Sequence, residues 1–460
     1  MASSNLRLNY GDYVIYLYGK ESKIREVTFQ VTSSCNLCCT YCYECHKTAE
    51  RMTLETGKKI VDYLISEWER DDKKSVINKS IKTLVFNFIG GEPFLEAELM
   101  DGICEYFLIQ CALKKCTLSR GFVISISTNG QNYFDEKVQH FLHKYKNFIS
   151  ITVSVDGVKE LHDKNRITSS GEGSFDKAFA AMIDSKQYGG MLTKMTFVPD
   201  SFKYIYESIK MMLELGARSV SANYAYEPVY TAEDASVLYE QLKRVADLMI
   251  DTKEDRMVSI LSRFVGKPWN QMEDKNYCGG TGNMLSFAPD GKAYPCIRYA
   301  PVSIGREKAD KMCIGDAEIG MYTTERTKKL KEELDSITLT SQSTQECIEC
   351  PVSSGCGWCS ALNYETFGTP NKRLTNICWA HKGRSLACCY YFNKRYVELG
   401  DVSPIHVYLP KEEALKIISE QEWEEIKRIE GEAACKLKAE TGLDLEKDLN
   451  YEAVLNNKRK

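Results

Sequence analysis

No apolar run in this 460-residue chain approaches the ~20 residues that span a bilayer, and Met1 to Arg7 lacks the cationic-then-apolar order of an export signal. Neither a membrane-embedded nor a secreted protein is expected, and the expected location is cytoplasmic. Net charge is nearly missing as well. The 60 basic and 64 acidic residues leave a formal charge of -4, too little to draw the chain to nucleic acid or an anionic membrane. No internal repeat or low-complexity tract stands out. What remains is a globular chain, 43% hydrophobic and long enough for two or three domains.

Cysteine, in contrast, is abundant, with 19 residues. A disulfide reading needs an export signal and usually a small domain, and neither is present. In a reducing compartment the same residues read as metal ligands plus buried thiols. Ten of them fall into three groups spaced like iron-sulfur ligands: Cys35, Cys39 and Cys42; Cys278, Cys296 and Cys359; and Cys347, Cys350, Cys356 and Cys378. An iron-sulfur cube takes four ligands, so a set of three leaves a corner for an outside molecule. Clusters open to substrate imply an oxygen-poor setting. The alternative at the first group is a zinc knuckle, because Cys38 and Cys45 also allow C-x2-C spacings.

From Val27 to about Asp251, short β-rich runs alternate with longer helical ones, the pattern of repeated βα units on a parallel sheet. Candidate strands are Val27 to Val31, Thr83 to Phe88, Val123 to Ser127, Ser150 to Val155, Lys194 to Val198 and Ser219 to Tyr224. Leu54 to Trp68, Glu96 to Leu113 and Phe202 to Leu215 carry apolar residues at helical spacing. Six units predict an α/β fold, a partial (β/α)6 TIM-like barrel open along one side, with its active face at the carboxyl ends of the strands. From Cys278 to about Cys389 the sequence turns loop-rich with clustered cysteines, which predicts a small domain held by metal more than by an apolar core. The expected divisions are an extension at 1–26, the barrel at 27–265, the cysteine-rich domain at 266–390 and a helical C-terminal tail at 391–460.

The C-x3-C-x2-C loop follows the first strand, Tyr41 precedes its third cysteine, and Gly90-Gly91-Glu92-Pro93 lies downstream. This conjunction resembles the radical S-adenosylmethionine superfamily over essentially residues 27–390. The resemblance implies that Cys35, Cys39 and Cys42 bind a 4Fe-4S cluster whose fourth iron takes S-adenosylmethionine, whose cleavage yields a 5'-deoxyadenosyl radical. It places Tyr41 against adenine and Gly90, Gly91 and Glu92 in the turn that approaches the methionine amino group. Ser154, in Ser154-Val155-Asp156-Gly157, would contact the cofactor, and Arg166, in an HDxxR element starting at His162, would pair with its carboxylate. Read alone, Tyr41 packs, Glu92 caps the helix after Pro93, and Arg166 forms an ion pair.

Cys347-x2-Cys350-x5-Cys356-x2-Cys359 followed by Cys378, with Cys278 and Gly291-x4-Cys296 upstream, resembles the iron-sulfur SPASM domain of radical peptide maturases. Two residues rather than the usual three separate Cys356 from Cys359. The resemblance implies two auxiliary 4Fe-4S clusters: a closed one on Cys347, Cys350, Cys356 and Cys378, and one on Cys278, Cys296 and Cys359 that is a ligand short. No cysteine occurs between Cys116 and Cys278, and Trp269 to Asp274 offers none, although Cys313, Cys388 or Cys389 could fold back to fill the place.

An open iron suits a substrate thiol, because coordination lowers its pKa. The expected activity is therefore thioether crosslinking of a cysteine-containing precursor peptide, with a flavodoxin or ferredoxin as electron donor. Carbon-carbon crosslinking is an alternative on the same scaffold, and a zinc-stapled binding protein is one from another class. A formylglycine-generating sulfatase maturase is a third, but such enzymes typically carry an aspartate base after the GxxxxC cysteine, where this chain has Ile297. Only thirty-four residues precede Cys35, too few for a leader-recognition module, so a separate leader-binding protein is expected or the leader binds elsewhere.

Overall fold

The computed structural model describes residues 23–446 except 74, 76, 264, 270–273, 275–277, 282 and 283. Residues 1–22, part of the expected extension, lie outside the described residues. So do most of the 269–274 neighbourhood and the tail beyond 446.

Six parallel strands, β1 (Ile24–Thr32), β2 (Thr83–Gly90), β3 (Phe122–Thr128), β4 (Ile149–Ser154), β5 (Leu192–Phe197) and β6 (Ser219–Tyr224), stand side by side in chain order. The helices between them cover one face, as expected for a (β/α)6 array. Helix α1 (Leu54–Arg70) starts at Thr53, whose side chain accepts from Thr56 N, and ends at Asp71 in the left-handed conformation. Its buried stripe of Ile60, Val61, Leu64, Ile65 and Trp68 faces the sheet and α2 (Ala97–Leu113). Close approach of the two helices requires Gly57, since a Cβ there would sit 2.5 Å from Ile103 Cγ1. The helix expected over Phe202 to Leu215 divides into a 3-10 turn, Pro199–Tyr204, and an α-helix, Ile205–Glu214, because Pro199 sets the start and Val198 N donates to Ser201 Oγ.

The strands alternate sharply. Leu84, Phe86 and Phe88 of β2, Ile124 and Ile126 of β3, and Thr193, Met195 and Phe197 of β5 are buried against the helices. Their neighbours on the inner face are polar in most layers. Thr28, Asn87, Ser125 and Ser150 align across four strands, and Ser154, Lys194 and Ser221 across three. A closed barrel packs its interior with branched apolar side chains; this open one keeps a hydroxyl- and amide-lined interior.

The sheet does not end at the barrel. Leu285–Phe287 (β7) adds to the free edge of β1 in parallel, and β8 (Lys292–Tyr294), β9 (Gly315–Asp316) and β10 (Gly320–Met321) continue antiparallel, giving ten strands in order β10-β9-β8-β7-β1-β2-β3-β4-β5-β6. Phe287, Tyr294, Tyr299 and Ile314 are buried in the same core cluster as the barrel residues, and Phe287 lies 6.3 Å from Phe29, centroid to centroid. The cysteine-rich segment thus shares the apolar core of the barrel, where a small domain held by metal more than by an apolar core was expected. Two long helices, α3 (Cys378–Leu399) and α4 (Glu420–Thr441), complete the fold. Among the described residues no helix is long and apolar enough to cross a membrane.

Candidate functional site

The first cysteine loop leaves β1 at Thr32 and is fastened by main-chain bonds: Ser33 N to Glu50 O (2.9 Å), Cys38 N to Ile167 O (2.7 Å) and Thr40 N to Asn165 O (2.9 Å). Cys39 stands near enough to raise the pKa of both Cys35 and Cys42, and Lys47, whose Nζ donates to Leu37 O (2.9 Å), faces all three thiols. Burial pushes the Cys35 thiol up to about 12 and raises Cys39 and Cys42 in the same direction, with Lys47 opposing. Three soft donors on one loop beside a cation fit three corners of a 4Fe-4S cluster. Among the described residues no three His, Cys, Asp or Glu side chains are gathered as for a single metal ion.

Gly90 and Gly91 serve the chain itself at this point. A Cβ on Gly90 would meet Thr32 O at 2.4 Å and one on Gly91 would meet Ser34 O at 2.1 Å, while Gly91 N and Glu92 N donate to those two carbonyls (3.1 and 2.9 Å). The turn is thereby bonded to the cysteine loop. The Glu92 carboxylate is fully engaged, accepting from Phe94 N (3.1 Å), Thr128 Oγ1 (2.6 Å) and Asn129 N (2.7 Å). Burial lifts its pKa to about 7 against these three donors. The cap reading of Glu92 holds in the structure, and it joins the ends of β2 and β3 besides.

Ser154 ends β4, and Val155 alone separates it from Asp156, for which the sequence reading had no role. Asp156 is fully buried. It receives Arg166 Nε (2.9 Å) and Nη2 (3.1 Å), Thr196 N (3.0 Å) and the Tyr41 hydroxyl. The Arg166 guanidinium also lies 5.4 Å from the centre of the Tyr41 ring. Arg166 is therefore a buried fork to Asp156 rather than the surface ion pair of the plain reading, and Tyr41 is pinned to the same carboxylate. His162 supports the arrangement: its Nδ1 accepts from Asp156 N (3.3 Å) and its Nε2 meets Ser174 Oγ (3.0 Å). Burial, with Arg166 nearby, lowers the His162 pKa to about 4.

The second set also assembles. Cys278 and Cys359 raise the buried Cys296 thiol, after burial itself, and Cys278 Sγ lies 3.3 Å from Ser360 Oγ. A Cβ on Gly280 would sit 2.9 Å from Cys296 Sγ and 3.6 Å from Cys278 Sγ, so the glycine keeps space beside two thiols that a cluster can use. In the third set, Cys347 and Cys356 act on both Cys350 and Cys378, and burial brings Cys378 to about 11. The three thiols offered as a fourth ligand to the Cys278 set go elsewhere: Cys313 to Gly315 O (3.5 Å), Cys388 to Ile260 O (3.9 Å) and Cys389 to His406 O (3.9 Å).

Tyr43 connects the first two sets, for both Cys42 and Cys296 act on its hydroxyl. Arg298 stacks on it, 4.6 Å from the ring centre, and pairs with Glu227 (2.7 Å) while facing Cys359. Ile297 begins a 3-10 turn after Cys296 and carries no proton acceptor. Sequence reasoning missed Asp156, Tyr43 and Arg298, whose places are set by tertiary contact.

Residues 29–242 match the Radical SAM superfamily. A cysteine-type anaerobic sulfatase-maturating enzyme of Clostridium novyi is 32% identical over 58% of this chain and 72% of its own length. The antilisterial bacteriocin subtilosin biosynthesis protein AlbA of Bacillus subtilis is 23% identical over 77% of this chain and 70% of its own. An uncharacterized protein of Methanocaldococcus jannaschii is 27% identical over 43% of this chain, which spans 62% of that relative's length. Among solved structures, native anSMEcpe with bound AdoMet and Cp18Cys peptide superposes with a TM-score of 0.55 at 19% identity, over 78% of this chain and 95% of the other, a likeness of fold. With a cysteine loop, a glycine turn and a parallel sheet arranged in this way, the chain belongs to the radical SAM superfamily.

Proposed function

We propose that this protein is a peptide maturase that installs thioether, sulfur-to-carbon, crosslinks from cysteine in a ribosomally made precursor. The observation that carries the reading is the Cys278, Cys296 and Cys359 set. It gathers three thiols, it neighbours the first set through Tyr43, and Cys313, Cys388 and Cys389 all bond elsewhere. A set of three leaves room for a substrate thiol.

In this reading Cys35, Cys39 and Cys42 hold the cluster that binds S-adenosylmethionine, and the other two sets hold auxiliary 4Fe-4S clusters. When bound, these groups supply a 5'-deoxyadenosyl radical for hydrogen abstraction and a Lewis-acidic iron for a thiol. The chain's own part is positioning. The Asp156 fork fixes Arg166 and Tyr41, Ser154 and the Gly90-Gly91-Glu92 main chain border the cofactor, and Arg298 holds Tyr43 between the sets. The net change in the peptide is loss of two hydrogens, one from carbon and one from sulfur. A flavodoxin or ferredoxin delivers the electron, a separate protein presents the leader, and the reaction takes place in anaerobic cytoplasm.

A second reading, conversion of a cysteine to formylglycine, is favoured by the 32% identity to the Clostridium novyi maturase; Ile297 in place of an acidic residue weighs against it. Mass spectrometry of a cysteine-rich precursor co-expressed with the enzyme distinguishes them. Thioether formation removes two hydrogens and leaves the cysteine resistant to alkylation, whereas formylglycine replaces the thiol by an aldehyde. Joint replacement of Cys35, Cys39 and Cys42 by Ala is expected to abolish 5'-deoxyadenosine release, and persistent release would refute the radical mechanism.

A further inference from the structure

A small cavity borders the third cysteine set, and polar groups on its walls lack partners in the chain. Trp269, Ser343, Cys347, Ser353 and Arg373 line it together with two apolar side chains. The indole Nε1 of Trp269 and the hydroxyls of Ser343 and Ser353 are buried and make no hydrogen bond among the described residues. Arg373 is buried as well; it donates to Cys356 O (2.8 Å) and Gly357 O (3.3 Å) and forms no ion pair among the described residues. Separate segments bring these groups in. Gly266 N donates to Ser354 O (3.3 Å) and Ser354 N to Lys267 O (2.9 Å), which lays the chain ahead of Trp269 over the cysteine loop. Ser353 sits inside that loop, its N donating to Cys350 O (3.2 Å) and its carbonyl accepting from Cys356 N (3.3 Å). Ser343 precedes Thr344, whose hydroxyl accepts from Cys347 N (3.3 Å), and Arg373 N donates to Gln342 O (2.8 Å).

Buried polar groups are nearly always hydrogen-bonded, and three unpartnered ones around one cavity call for an acceptor that the chain does not supply. An indole N–H and a guanidinium can only donate, so the acceptor is electron-rich. A 4Fe-4S core held by four thiolates fits: it is an anion, its sulfurs accept hydrogen bonds, and reduction adds one more negative charge. We propose that Trp269, Ser343 and Ser353 donate hydrogen bonds to the sulfurs of the cluster on Cys347, Cys350, Cys356 and Cys378, and thereby raise its reduction potential; the inference rests on the three-cluster reading above. Donors to sulfur favour the more negative, reduced form, and the Arg373 charge beside them acts in the same direction. A carbon radical and a thiolate that join in one C–S bond leave one electron over, and these donors lower the cost of holding it at this set. Bound water would satisfy the same groups and leave the potential alone.

The test is a redox titration followed by EPR on anaerobically reconstituted full-length protein in which Cys35, Cys39 and Cys42 are replaced by Ala, so that the signals come from the auxiliary sets. The signal that a further C347A removes belongs to the third set. W269F keeps an aromatic ring and removes its N–H, and S353A removes one hydroxyl. Each is expected to retain about eight irons per chain. Each is also expected to lower the midpoint of that signal, by up to about tenfold in the ratio of reduced to oxidised form at a fixed potential, or about 59 mV, with W269F/S353A lower than either. Pulsed EPR in deuterated buffer is expected to show an exchangeable deuteron coupled to the reduced cluster in the parent and missing from W269F. A midpoint that neither W269F nor S353A moves overturns the proposal, as does a deuteron pattern that W269F leaves intact. Should W269F shed the cluster, S343A and S353A carry the same measurement, and unmoved midpoints in both overturn it. A parent that binds only about four irons, with no signal sensitive to C347A, refutes the three-cluster reading and the donors with it.

Discussion

Asp156→Asn removes one charge with almost no change of shape, and it does so where the structure concentrates its buried polar contacts. Four donors converge on the Asp156 carboxylate: the two arms of Arg166 at 2.9 and 3.1 Å, Thr196 N at 3.0 Å and the Tyr41 hydroxyl. The Asp156 side chain is 0% exposed and that of Arg166 9%, so the guanidinium left behind has no water to turn to. Breaking a buried pair on one side typically costs about 3–5 kcal/mol, and that is the expected loss for D156N. R166M should cost a similar amount, and the double variant less than the sum, because it no longer buries a lone charge; a coupling of about 1–3 kcal/mol is expected. Urea unfolding of the cluster-free protein, with the midpoint converted through the slope, measures all three. A D156N cost within about 0.5 kcal/mol of zero, or strictly additive single variants, would show that the fork is not what holds Arg166.

Glu92→Gln keeps the oxygen that serves Phe94 and Thr128 but turns an amide toward Asn129 N, so it should cost about 1–3 kcal/mol, and Glu92→Ala distinctly more; equal midpoints for the two would contradict the three-donor account. His162 titrates near 4 when folded against 6.5 when unfolded, so the unfolded chain binds the extra proton between these values. Stability should fall as pH drops through that window, by about 3 kcal/mol in all, and His162→Gln should flatten the dependence only in part because His381, lowered to about 3, moves the same way. Gly280→Ala places a carbon 2.9 Å from Cys296 Sγ and, under the three-cluster proposal, should lower iron from about twelve to about eight per chain while 5'-deoxyadenosine release continues. Unchanged iron would remove Gly280 from the Cys278 set.

The parallel strands and the Cys35, Cys39 and Cys42 loop were legible because both are local signals. Runs of β-branched and aromatic residues ended in glycine turns, and those three cysteines follow one another on a single loop after β1. The strand ends shifted where pairing overrides composition. The β5 strand was read as Lys194 to Val198, but it begins at Leu192 opposite Thr152, and Pro199 ends it early. What escaped was set by tertiary contact. The commitment of Arg166 to Asp156 depends on a turn that brings a helix end under a strand end. The three-residue strand Leu285–Phe287 is too short to carry a pattern, and its partner β1 is far away in the chain. The glycines of Gly90-Gly91 were recognised, but their close neighbours are Thr32 and Ser34 rather than a ligand alone.

The pairing of β7 with β1 constrains how this molecule can move. β1 ends in the first cysteine loop, and β7 lies between Cys278 and Cys296, so both regions hang from adjacent strands of one sheet. Opening them like a hinged pair of domains would break a continuous ladder and expose the shared core. The two thiol sets are thus carried by neighbouring strands of one sheet, and a hinge between them would have to break that pairing first.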